Sequence, residues 1–127
     1  MNHFLLVALG GGIGAGLRHL VGLWTIRTFG PGFPYGTITV NIVGSLIMGL
    51  FIGWLVRHGV GGSQSLRYFV ATGVLGGFTT FSAFSLDVAL MWERGATQAA
   101  VAYVLLSVAL SIAAVFAGLF VMRQLAA

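Results

Sequence analysis

The chain of 127 residues (13.3 kDa) is 58% hydrophobic and only 6% charged, with a mean hydropathy of +1.03. Water-soluble domains carry about 25% charged residues, so lipid is the solvent for most of it. Its two carboxylates, Asp87 and Glu93, cannot build an acidic metal cluster or a glycosidase pair, and without Cys there are no disulfides, thiolate nucleophiles or iron–sulfur ligands.

The formal charge of +4 comes from arginines scattered singly along the chain, which favours a preference for anions over a nucleic-acid patch. A spanning helix needs about 20 apolar residues, so four crossings consume the chain as one transmembrane domain, 1–127. The first span is expected over 4–24. It lacks the basic start and small-residue cleavage site of a secretory signal. Its run Gly10-Gly11-Gly12-Ile13-Gly14-Ala15-Gly16 suits close approach of another membrane helix. Arg18, the one guanidinium well inside a span, either concentrates anions at a vestibule or ties down a helix end through backbone carbonyls.

Thr28 to Pro34 holds both prolines and is expected to turn. The second span, 35–56, carries Thr37 and Asn41 four residues apart on one helical face. An amide at bilayer depth serves either as polar glue to a neighbouring helix or as a transport group. Gly59 to Ser65 is expected to be the next loop, followed by a third span over 67–92. Within it, Gly73-Val74-Leu75-Gly76-Gly77-Phe78-Thr79-Thr80 makes a poor continuous helix. Either the helix breaks at mid-membrane, where freed backbone groups need protein or a cavity around them, or it stays intact with Gly73 and Gly77 as a small-residue contact. Beyond lie Phe78, Phe81 and Phe84 at spacing three, which places them on one face. The positive ring edges of Phe81 and Phe84 can line an anion path without a fixed charge. Asp87, near the span end, is expected to pair with an arginine. The fourth span, 97–122, presents Tyr103, Ser107 and Ser111 as a polar stripe at every fourth position. Each hydroxyl either donates to a small anion or bonds back to its own helix.

Arg57, Arg67 and Arg123 fall on the side of the termini, against Arg27, Arg94 and, if it snorkels outward, Arg18. Basic residues set orientation, and here they nearly balance.

Three segments, Gly11-Gly12-Ile13-Gly14-Ala15-Gly16-Leu17-Arg18, Gly36-Thr37-Ile38-Thr39-Val40-Asn41-Ile42-Val43-Gly44 and Gly76-Gly77-Phe78-Thr79-Thr80-Phe81-Ser82-Ala83-Phe84-Ser85, resemble the Fluc (CrcB) fluoride channels in sequence and order. The resemblance implies an all-α integral membrane protein of the bacterial inner membrane, with four transmembrane helices and the third broken at mid-membrane. It implies an antiparallel, dual-topology homodimer that exports fluoride passively and so prevents its toxic accumulation. By position, it assigns Asn41, Phe81 and Phe84 to the fluoride pore, Thr37, Tyr103, Ser107 and Ser111 to a polar track, and Arg18 to the vestibule. It gives the backbone carbonyls of Gly76 and Thr79 to a structural sodium ion at the dimer interface. Ala83 stands where a hydroxyl is common, Asp87 where Glu is common, and His19 where an aromatic is usual. Rival readings are a small multidrug-type cation exporter, which would need a carboxylate at depth in the first span, and a non-transporting membrane assembly subunit. An enzyme has no support in these residues.

Overall fold

The computed structural model describes residues 2–58 and 64–126, and among them every regular element is helical. Four segments are long and apolar enough to cross a membrane: His3–Phe29, Tyr35–Arg57, Gln64–Glu93 and Thr97–Leu125. Most of the expected loop between the second and third spans, 59–63, lies outside the described residues.

Helix α1 (His3–Phe29) starts where the Asn2 side chain accepts the Phe4 N–H at 2.9 Å, and it ends at Gly30, whose φ of 80° favours a residue without Cβ. It therefore runs through Thr28 and Phe29, assigned to the turn by sequence, because Gly30 and not the first proline is the stop signal. Helix α2 (Tyr35–Arg57) follows Pro34 directly. The third span is built in pieces. A short helix α3 (Gln64–Arg67) runs into a π-helical stretch, Tyr68–Leu75, in which the Gly76 N–H reaches Ala71 five residues back. Helix α4 (Gly76–Phe78) is a single turn. Thr79 (φ −87°, ψ 162°) and Thr80 (φ −156°, ψ 125°) are extended, and α5 (Phe81–Glu93) resumes beyond them. Helix α6 (Thr97–Ala126) completes the chain after a turn at Gly95, also at positive φ.

Glycine decides which helices touch. A Cβ on Gly10 would come within 2.6 Å of the Phe69 carbonyl oxygen, one on Gly77 within 2.5 Å of the Gly11 carbonyl oxygen, and one on Gly14 would overlap the Val74 carbonyl. The first helix thus lies backbone against backbone on the π-helical stretch and α4. Helices α2 and α6 pack in the same way, with Gly118 seated between Leu46 and Leu50 and Gly49 against Val115. Side chains fill the remaining core, where Phe84, Met91, Ala100 and Tyr103 cluster against Phe33, Ile38 and Val88. Outward faces are apolar nearly all round, from Phe4 to Leu125, as expected for helices solvated by lipid chains.

Candidate functional site

In an unbroken helix, the N–H of Thr80 would close on the carbonyl of Gly76. Here it donates to Asn41 Oδ1 at 2.8 Å, while Asn41 Nδ2 donates back to the Thr80 carbonyl at 3.0 Å. One amide from α2 thereby satisfies both backbone groups of an extended residue, which is the service a neighbouring strand would otherwise provide. The N–H of Ala83 would likewise have closed on Thr79, but donates to Thr80 Oγ1 at 3.1 Å as the N-cap of α5. Two carbonyls, those of Gly76 and Thr79, so lose their helical donors. A third, at Gly77, accepts from Arg18 Nε at 3.1 Å. Of the two roles open to Arg18 in the sequence, bonding a helix-end carbonyl is the one its geometry displays, and it also lines a cavity.

Two cavities flank this region. The smaller, about 290 Å³, is walled by Asn41, Phe81, Phe84, Ser107 and Ser111, together with Ser45, Thr79 and Thr80. The larger, about 460 Å³, holds Arg18, Thr37, Asp87 and Arg94. Residues separated by as many as 71 positions (Asn41 to Ile112) are gathered around the smaller space.

The rings of Phe81 and Phe84 lie 5.6 Å apart at 49°, but their surroundings differ. Phe84 is buried against Tyr103, at 5.1 Å between centroids, whereas Phe81 is 76% exposed on the outer face of the chain. Phe78 belongs to α4, separated from the other two by the extended Thr79 and Thr80, so the three rings do not form the continuous helical stripe that their spacing predicts. On α6, the hydroxyls of Ser107 and Ser111 are buried with no hydrogen-bond partner. Back-bonding to their own helix does not account for them. By contrast, Ser85 and Thr79 do bond back, to Phe81 and Leu75 carbonyls, each at 3.0 Å.

Other residues fall elsewhere. Thr37 shares the helical face of Asn41 but opens on the larger cavity. Tyr103 is wholly buried, and its hydroxyl donates to Asp87 at 2.9 Å. Asp87 therefore takes a phenol as its partner instead of the expected arginine, because α6 brings that hydroxyl to it inside the core. Gly76 is exposed and Thr79 partly so. Sequence reasoning passed over Ser45, although its spacing of four from Asn41 places it on the same face.

The sequence profile described as "CrcB-like protein, Camphor Resistance (CrcB)" matches residues 5–119. The chain belongs to the CrcB family. Among curated CrcB relatives, a protein of Mesorhizobium japonicum is 58% identical over 98% of this chain and 99% of its own. One from Rhizobium meliloti is 52% identical over the same shares, and one from Hyphomonas neptunium 58% over 98% of each. All three relatives are named fluoride-specific ion channel FluC. As a CrcB protein with four spans, the chain is a multi-pass membrane protein.

Proposed function

We propose that this chain is a fluoride-selective channel that lets fluoride leave the cell passively across the bacterial inner membrane. The observation that carries the reading is the pair of unpartnered buried hydroxyls, Ser107 and Ser111, facing the cavity that Asn41, Phe81 and Phe84 also line. A buried polar group without a partner is costly, by about 1–3 kcal/mol, and a small anion accepting from it removes that cost. Asn41 has a second Nδ2 hydrogen beyond the one given to Thr80. Phenyl edges add positive potential without a fixed charge that would trap the ion.

The working unit in this reading is an antiparallel, dual-topology homodimer, with the third span broken at mid-membrane. The exposure of Phe81 is in keeping with it: a ring that lines the smaller cavity and is still 76% exposed in one chain can be covered by a second chain where other outward side chains meet lipid. Gly76 and Thr79 fit a structural sodium ion at that interface. Their carbonyls have lost their helical donors to Asn41 and Thr80, and a Cβ on Gly76 would meet only the Ala71 oxygen at 3.6 Å, so the approach is open. Neutral oxygens without competing donors are the ligands a hard monovalent cation prefers, and when bound the ion supplies a charge that ties such carbonyls together. Two carbonyls from each chain would make the cage jointly. Asp87, committed to Tyr103, gives little support to a proton-coupled cation exporter.

Purified protein in liposomes loaded with fluoride is the test. Efflux through the wild type is expected, with Phe81→Ile and Phe84→Ile folding but passing far less. Absence of fluoride efflux from the folded wild type, or wild-type rates in both Ile variants, would overturn the channel reading or the role of the rings respectively.

A further inference from the structure

The walls of the two cavities share a single residue, Thr80. On one side lies the space holding Arg18 and Thr37. On the other lies the space holding Asn41, the phenyl rings and the unpartnered serines. Thr80 is thus the residue at which the two spaces come nearest to each other in the walls they share.

Its placement is fixed by several contacts at once. Asn41 grips both the N–H and the C=O of Thr80, and the Ala83 N–H donates to Thr80 Oγ1 at 3.1 Å, which pins the side chain. The remaining contact of the hydroxyl is loose. Oγ1 stands 3.4 Å from Ser82 Oγ, well outside the 2.7–2.8 Å typical of O–H···O bonds. The oxygen is therefore held while its proton has only this long contact to Ser82 within the chain.

We propose that Thr80 is the threshold between the two cavities, and that its hydroxyl donates a hydrogen bond to the fluoride ion as the ion crosses from the arginine side to the phenyl side. This rests on the fluoride reading above. An ion at a constriction loses water, and a donor already in place replaces part of that lost hydration without reorganisation. Fluoride, small and a strong acceptor, gains more from one fixed O–H than chloride does. Thr80 thus contributes to selectivity as well as to rate.

Fluoride flux, the fluoride-to-chloride permeability ratio and melting temperature are measured on wild type, Thr80→Val, Thr80→Ser and Thr80→Asp in liposomes and detergent. Valine keeps the shape and removes the donor, so flux falls roughly tenfold or more and the permeability ratio narrows. Serine restores both. Aspartate caps a helix as well as threonine does, so melting is preserved while flux is lost to repulsion, and this arm decides should the valine protein not fold. Wild-type flux and ratio in Thr80→Val, or in Thr80→Asp, would overturn the threshold. So would a loss of flux at unchanged ratio that serine does not rescue, since that is the signature of a helix cap alone. No flux from wild type would overturn the fluoride reading and this inference together, whereas normal wild-type flux with an indifferent valine variant removes only the threshold.

Discussion

Asn41 supplies the two bonds to the extended Thr80, so its removal is expected to let the chain there close toward a helix. In Asn41→Ala, the hydrogen bonds of 2.8 and 3.0 Å to Thr80 disappear. Each such bond contributes about 1 kcal/mol net, and each buried group left unpaired costs about 1–3 kcal/mol. With both Thr80 groups orphaned, the loss would be roughly 2–6 kcal/mol. One of them has an escape, because the Thr80 N–H can turn back onto the Gly76 carbonyl and restore a helical bond. That recovery should reduce the cost to about 1–3 kcal/mol, and it consumes one of the two carbonyls proposed for sodium. The variant should therefore melt at lower temperature, lose the rise in melting temperature that added sodium is expected to give the wild type, and pass little fluoride. Asn41→Asp keeps the acceptor for the Thr80 N–H but sets an oxygen against the Thr80 carbonyl, so it should retain more of the break and still block anions by charge. Unfolding in detergent with and without sodium, paired with liposome efflux, reads all three quantities. An Asn41→Ala protein with wild-type melting and wild-type flux would refute the clamp. Lost flux with an intact sodium effect would refute the closure of the helix while leaving the amide in the pore.

Ser107→Ala and Ser111→Ala each delete a buried hydroxyl that has no partner in the chain. Melting should stay level or rise while fluoride efflux falls several-fold, and a stability loss of more than about 1 kcal/mol would mean the hydroxyl is bonded after all. Gly10→Ala drives a methyl against the Phe69 carbonyl and the Val74 amide, backbone atoms that cannot swing aside, whereas Gly12→Ala meets nothing within 4 Å. Thermal unfolding should place the first about 1–3 kcal/mol below wild type and the second at or slightly above it; equal stabilities would contradict the backbone contact. Lysines added after Ala127 should bias every chain to one orientation and abolish fluoride transport, with rescue by co-expression of a variant carrying lysines beside Arg94. Full activity of the singly biased protein would rule out the antiparallel pair.

The four spans were legible because composition alone demands them, and their ends were off by a few residues where a cap outweighed hydropathy. Gly30 let α1 run past the expected turn, and Gln64 begins the third span ahead of Arg67. The weakness of the helix around Gly76 to Thr80 was visible as paired glycines and threonines, since those residue types disfavour helix by known amounts. What fills the gap was not. The bond from Arg18 to Gly77 joins positions 59 apart, that from Asn41 to Thr80 positions 39 apart, and no local pattern encodes either. Asp87 and Tyr103 are 16 apart on different helices, so the phenol displaced the expected arginine as partner only once α5 and α6 were packed. Tyr68–Leu75 carries no compositional mark of a π-helix, because that geometry answers to the close fit of Gly10 and Gly14 against the backbone at Gly73 and Val74.

The π-helical stretch has a consequence for which changes of length the chain can survive. Each of its turns holds more residues than an α-turn does, so Tyr68–Leu75 stores surplus chain between Arg67 and the glycines of α4. Loss of one residue there would let the stretch relax to ordinary α-helix without breaking a single hydrogen-bonded turn. Exchanging eight π-helical residues for seven α-helical ones would still shift and turn everything downstream relative to everything upstream, by less than a full residue's rotation. Thr80 would leave the reach of Asn41, and Gly77 that of Arg18, while hydropathy, span length and composition stayed nearly unchanged. Lineages that carry this fold should tolerate many exchanges of one apolar residue for another between 68 and 75, yet keep the number of residues in that interval fixed.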